Sequence, residues 1–146
     1  MILAMKYLID TDICGFYLRG KYSINEKIKE VKPEHCFVSE ITILELIYGA
    51  RKSEQYEKHI KDIQVIETLF TVIPIEAVYD RFALEKVKLK TAGKLIPDFD
   101  LLIGSTAVER SLIMVTNNEK HLSRISDISI ENWTNPLYNK FAERNT

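Results

Sequence analysis

The apolar run Lys6-Tyr7-Leu8-Ile9 ends in Asp10-Thr11-Asp12. A carboxylate at the end of a buried strand sits at the edge where ligands gather in open α/β sheets. Burying it without a partner is costly, which suggests a bound cation, a metal above all. An Asp-x-Asp after a strand suits metal ligation, or a nucleophile with a general acid two residues on. It also suits a plain helix N-cap, with Asp12 able to cap while Asp10 does chemistry.

Three further segments could share that chemistry. Glu45 lies in Ile41-Thr42-Ile43-Leu44-Glu45-Leu46-Ile47-Tyr48, a helical stretch apolar nearly all round and expected to be buried on most sides. Ile41, Leu44, Glu45 and Tyr48 share a face, and a carboxylate there is paired, raised in pKa or metal-bound. The plain alternative is an ion pair with Arg51 or Lys52. In Pro97-Asp98-Phe99-Asp100-Leu101-Leu102-Ile103-Gly104, Asp98 reads as an N-cap or first-turn acid. Asp100 heads a face with Ile103, Gly104 and Ala107, whose small residues permit close approach to a sheet. Val115-Thr116-Asn117-Asn118 ends another strand in a hydroxyl and two amides. Turn chemistry explains the Asn pair; alternatively, Thr116 and one Asn line the same site as Asp10.

Other candidates are weaker. His35, His59 and His121 have no mutual spacing of a metal trio and read as ordinary surface or core residues. There is no Gly-rich phosphate loop and no GxSxG. Lys86, Lys88, Lys90 and Lys94 read as a solvated helix face that also suits phosphate contacts. The Asp-x-Asp is similar to that of haloacid-dehalogenase-like phosphatases, with Asp10 as nucleophile and Asp12 as acid. The catalytic Lys and closing acidic pair of that class have no convincing place here.

The elements that must position these residues alternate. Strands are expected at 6–10, 36–38, around 71–73, at 112–116 and, weakly, at 128–130. Helices are expected at 13–20 with a stop at Gly20, at 24–31 capped by Ser23, and from Ser39 or Thr42 to Tyr48 near Gly49. Others follow at 54–70, about 77–91, 97–111 and 119–124. Strands alternating with helices imply an α/β fold with a parallel sheet covered on both faces. No linker or repeat interrupts it, so residues 1–146 form one domain, with 135–146 a polar C-terminal tail, loose or partner-contacting.

Composition narrows the class. The chain has 146 residues, 46% hydrophobic and 28% charged, as in an ordinary globular protein with one core. No apolar run approaches the roughly 20 residues of a membrane helix. There is no signal-peptide pattern, so a cytoplasmic location is expected. Cys14 and Cys36 form no CxxC and read as buried reduced thiols. A net charge of -1 from 20 basic and 21 acidic residues argues against coating nucleic acid by bulk charge.

Leu8-Ile9-Asp10-Thr11-Asp12, Ile43 to Ala50, Asp100-Leu101-Leu102-Ile103-Gly104, Val115-Thr116-Asn117-Asn118 and Ile130-Glu131-Asn132-Trp133 resemble, in order, the motifs of a PIN-domain ribonuclease of the VapC toxin type. The resemblance spans about residues 6–133. It implies a three-layer α/β/α sandwich and an endoribonuclease using Mg²⁺ or Mn²⁺, leaving a 5′-phosphate and a 3′-hydroxyl. It also implies RNA substrates of the tRNA or rRNA class and a VapB-like antitoxin as partner; with the exposed aromatics, it suggests a homodimer. Asp10, Glu45 and Asp100 match the family acids and are the implied catalytic and metal-binding residues. Thr11, Asp12, Thr116 and Asn118 are the supporting ones. The fourth acidic position falls near Asn118, where no carboxylate stands. That departure leaves the number of metal ions open, and leaves a catalytically weak PIN domain acting as an RNA-binding module as an alternative.

Overall fold

The computed structural model describes residues 4–145. Five parallel strands form one sheet: β1 (Tyr7–Ile9), β2 (Cys36–Ser39), β3 (Thr71–Ile73), β4 (Ile113–Val115) and β5 (Ile130–Glu131), in the order β3-β2-β1-β4-β5. The register pairs Leu8 with Phe37 on one side and with Met114 on the other. Among the described residues the α-helices are α1 (Thr11–Leu18), α2 (Ile24–Val31), α3 (Glu40–Lys52), α4 (Tyr56–Leu69), α5 (Tyr79–Thr91), α6 (Asp98–Glu109) and α7 (Glu119–Leu122). The expected parallel α/β sandwich is the architecture found.

Strand alternation divides the core in two. Tyr7, Ile9, Val38 and Val115 pack with Ile13, Ile24, Ile66 and Trp133, under α1, α2 and α4. Leu8 and Met114 face the other way and pack with Leu89, Leu101, Ile103 and Leu122, under α5, α6 and α7. The β1–β4 pair lies where the chain reverses direction across the sheet. β2 and β3 build out on one side and β5 on the other, so the crevice at the carboxyl ends of β1 and β4 is the switch point of the topology.

Several boundaries differ from expectation for identifiable reasons. Helix α1 begins at Thr11, directly after β1, and ends where Gly20 takes the left-handed conformation (φ 68). Ser23 is itself left-handed (φ 49) and makes no side-chain capping bond to α2. Helix α3 runs through Gly49 to Lys52, and its outer side is open: Leu44, Ile47 and Tyr48 are exposed. It is therefore half-buried and not enclosed on most sides. A 3-10 turn, Ile75–Val78, precedes α5.

The C-terminal segment is not a loose tail over its described length. Asn139 is buried and its amide donates to the Tyr22 and Trp133 carbonyls, each at 3.0 Å. Ala142 is buried as well. Cys14 and Cys36 are buried and unbridged.

Candidate active site

The carboxylates converge on the crevice at the ends of β1 and β4. Asp10 follows β1 directly and holds the N-cap position of α1. Its Oδ1 accepts from the Thr11 N–H at 2.8 Å, and its Oδ2 accepts from the Thr116 hydroxyl at 2.7 Å. Its backbone N–H donates to the Val115 carbonyl at 2.9 Å, so the two strands fix the backbone and Thr116 fixes the side chain. Asp12, in the first turn of α1, accepts from the Ile13 N–H at 2.7 Å and the Asn117 N–H at 3.0 Å. Capping and site-building are thus done by the same residues.

Glu45 reaches the cluster through Thr11. The Thr11 hydroxyl donates to Glu45 Oε1 at 2.6 Å and lies 3.0 Å from the buried Thr42 hydroxyl. The alternative, an ion pair of Glu45 with Arg51 or Lys52, is not found among the described residues. Arg51 stacks on Tyr56, 4.1 Å from the ring centre, and Lys52 lies 4.7 Å from the Tyr48 ring. Asp100 stands in the first turn of α6; Asp98, the residue opening that helix, pairs outward with Lys86 at 3.0 Å. Asp100 Oδ2 meets the Asn118 amide nitrogen and His121 Nδ1, each at 3.2 Å.

His121 is the residue that sequence reasoning set aside as ordinary. A signal was present: Asn118 and His121 stand three residues apart at the start of a helical turn, which places them on one face. Gly104 brings that turn close, because a Cβ there would overlap the Ile125 Cδ1 methyl and lie 2.8 Å from Leu122 Cδ1. The small face of α6 therefore admits α7 and its following loop, where closeness to the sheet was expected. Glu85, fully buried on α5, accepts from the Ser126 N–H at 3.3 Å and tethers the same loop from behind. Asn132 donates to Asn117 at 3.0 Å and to Glu119 at 3.1 Å, bracing the turn that presents Asn117 to Asp12.

The electrostatics follow from burial. Asp10 is pushed from 3.8 up to about 7, first by burial and then by the neighbouring Asp12 charge; the bonds from Thr116 and Thr11 oppose the shift. Asp12 is also raised, by burial first and by Asp100, against its bonds from Asn117 and Ile13. No Lys or Arg among the described residues pairs with Asp10, Asp12 or Glu45 in an ion pair. No three His, Cys, Asp or Glu side chains of the described residues already stand at ligand geometry. A buried carboxylate held by neutral donors, facing other carboxylates without a countercharge, nonetheless fits a hard divalent cation with oxygen ligands.

A parallel five-stranded sheet with acids gathered at its switch point is the frame of a PIN domain, and the PIN domain family model matches residues 7–128. The chain is 30% identical over 132 residues to the tRNA(fMet)-specific endonuclease VapC of Shigella flexneri, covering 89% of this chain and 99% of that one. It is 32% identical over 131 residues to ribonuclease VapC2 of Haemophilus influenzae, covering 88% and 98%. Its fold superimposes on DNA-bound VapBC from Salmonella typhimurium with TM-score 0.83 at 28% identity, covering 88% of this chain and 98% of that one. The chain belongs to the VapC family of PIN-domain ribonucleases, the toxins of toxin–antitoxin pairs. The phosphatase reading of Asp10 falls with that membership.

Proposed function

We propose that this chain cleaves RNA with Asp10, Asp100 and Glu45 as its catalytic and metal-binding side chains, supported by Thr11, Asp12, Thr116 and Asn118. The observation that carries the reading is Asp10: a buried carboxylate at the carboxyl end of β1 with no Lys or Arg ion partner among the described residues, near the further carboxylates Asp12 and Asp100. A bound Mg²⁺ or Mn²⁺ supplies the positive charge that stabilises these carboxylates together and polarises the scissile phosphate. Asp10 and Asp100 would hold it; the Thr116 hydroxyl and the Thr11 N–H keep the Asp10 carboxylate in one rotamer. Glu45, steadied at Oε1 by the Thr11 hydroxyl, accepts the proton of the attacking water through its other oxygen. The water oxygen bonds to phosphorus as the P–O3′ bond breaks, leaving a 5′-phosphate and a 3′-oxygen that takes up a proton from solvent to become the hydroxyl.

The substrate is a tRNA, by analogy with the named specificity of the Shigella relative. The partner is a VapB-like antitoxin, as in the VapBC complexes this fold superimposes on. A cavity of about 280 Å³ beside Glu45, between α1, α3 and α4, offers that antitoxin apolar walls at Leu18, Leu46 and Ala50 with Arg19 and Lys58 at its edge. The exposed Leu44, Ile47 and Tyr48 of α3 and Tyr79, Leu84 and Val87 of α5 supply apolar surface for that contact and for a homodimer. Among the described residues no helix is long and apolar enough to cross a membrane, and the cytoplasm, where tRNA is found, is the proposed location.

Expression of the chain alone tests the reading. Growth arrest relieved by Asp10→Ala, with purified protein that cuts tRNA to 5′-phosphate ends and loses this in Asp100→Asn, is the expected result. RNA binding without metal-dependent turnover would instead make the chain a binding module.

A further inference from the structure

The cavity of about 280 Å³ between α1, α3 and α4 has Glu45 in its lining, so an occupant lies beside the place where the scissile phosphate is attacked. Leu18, Leu46 and Ile63 wall it, one from each helix. Gly49 also lines it, from inside α3. A glycine inside a helix costs stability relative to alanine. The fold makes no use of this one. Its φ is not positive, and a Cβ there would meet nothing within 4 Å. What the missing side chain leaves is bare backbone against the cavity, a surface that a flat group can approach closely.

Arg19, at the edge of the same cavity, is held in advance. Its Nη1 lies 3.1 Å from where a Cβ of Gly15 would stand, and its guanidinium carbon lies 5.3 Å from the Phe16 ring centre. The head group is therefore folded back along α1 over those two residues. Neither Arg19 nor Lys58 forms an ion pair with a carboxylate among the described residues. Asp62, the other acid of the lining, stands 3.7 Å from His59. An unpaired guanidinium held in place suits a phosphate, whose oxygens its planar fork matches. Apolar walls beside unpaired cations match a nucleotide, which is apolar on the faces of its base and anionic at its phosphate.

We propose that this cavity holds one nucleotide of the RNA, the one on the 3′ side of the scissile bond, with its base over Gly49 and the phosphate that follows it on Arg19. The inference rests on the nuclease reading. In-line attack places the leaving 3′-oxygen opposite the water that Glu45 deprotonates. The upstream nucleotide therefore points away from Glu45. The nucleotide that keeps the phosphate is the one able to turn into the cavity. RNA sequence is read from unstacked bases, gripped on their faces and hydrogen-bonded at their edges. His59 and Asp62 give the lining polar groups for such an edge, so the cavity selects which base stands after the cut.

The test compares the full-length native chain with Gly49→Leu and Arg19→Gln. Gly49→Leu should melt no lower than the native chain, since leucine is the better helix former and its side chain enters open space. Ends cut from a random RNA pool by the native chain should share a base preference at the nucleotide bearing the new 5′-phosphate. Gly49→Leu should flatten that preference and raise KM by about 5–100-fold, the range of one lost stacked base. Arg19→Gln should keep the preference, raise KM, and make the salt dependence of RNA affinity shallower by about one phosphate contact. A folded Gly49→Leu with native KM and native preference overturns the proposal, as does a preference confined to the upstream nucleotide. Unchanged turnover in both variants leaves the cavity to the antitoxin and also overturns it. Anisotropy of a fluorescent single-stranded RNA keeps the two readings apart. A native chain that binds this RNA but cuts none fails the nuclease reading alone; equal binding by all three proteins fails the nucleotide subsite.

Discussion

Asp10→Asn should stabilise the metal-free protein at neutral and alkaline pH while destroying its activity. Raising the Asp10 carboxyl from 3.8 to about 7 means that ionising it in the folded state costs on the order of 4 kcal/mol relative to the unfolded chain. The folded state then binds more protons than the unfolded state between about pH 4 and 7. Stability falls as pH rises through that window and carries the full deficit above it. Asparagine keeps the shape: its carbonyl can accept from Thr11 N–H, and its amide can donate to the Thr116 oxygen, which also accepts from Asn118 N–H at 2.9 Å. The variant should therefore melt higher at pH 8 by an amount on the order of 10 °C, and match the native chain near pH 4. Thermal melts of both proteins in chelator from pH 4 to 8 measure this. Adding a divalent cation should narrow the gap at pH 8, since a ligand at about 100 times its Kd adds about 2.7 kcal/mol to the native chain. A variant that is less stable at pH 8, or a gap that does not change with pH, would refute the account of Asp10 as an uncompensated buried charge.

Three other outcomes follow from the same contacts. Thr116→Val removes the hydroxyl on Asp10 Oδ2 and the acceptor for Asn118 N–H, so cleavage should drop at unchanged RNA affinity, read as a kcat loss with KM preserved. Gly104→Ala drives a methyl into the Ile125 and Leu122 side chains and should cost about 1–3 kcal/mol in urea unfolding. Full retention of stability would show that α7 is not held by this approach. Asn139→Ala leaves the buried Tyr22 and Trp133 carbonyls without their donor, and a loss of about 1–3 kcal/mol is expected by the same measurement.

Much of the frame was legible because it depends on local pattern. Short apolar runs closed by Asp10 and Thr116 mark β1 and β4, and their carboxyl ends mark the crevice. The i, i+3 spacing of Ile60, Ile63 and Ile66 marks α4 without any structure. Boundaries were less legible where one residue type serves two purposes. Gly49 stops no helix because α3 packs on α4 beyond it, with Ala50 buried. Residues 135–146 read as a polar tail in sequence, yet Asn139 is buried because two carbonyls 117 and 6 residues away need its amide.

The sequence by itself determined that this is a parallel α/β chain of the PIN type, and which carboxylates stand at strand ends and helix starts. The parallel α/β class and the carboxylate positions are consequences of alternation, capping and length, which act over a few residues; the PIN type follows from the resemblance of the motifs taken in order. Only the tertiary structure decided what each carboxylate meets. It tied Glu45 to the cluster through Thr11, set Asp12 against the Asn117 backbone, and placed His121 and Asn118 on a single oxygen of Asp100. The last of these meetings depends on the packing of α6 against α7 across Gly104. No local rule carries that packing, because the partners are separated in sequence and joined only by the shape of the core.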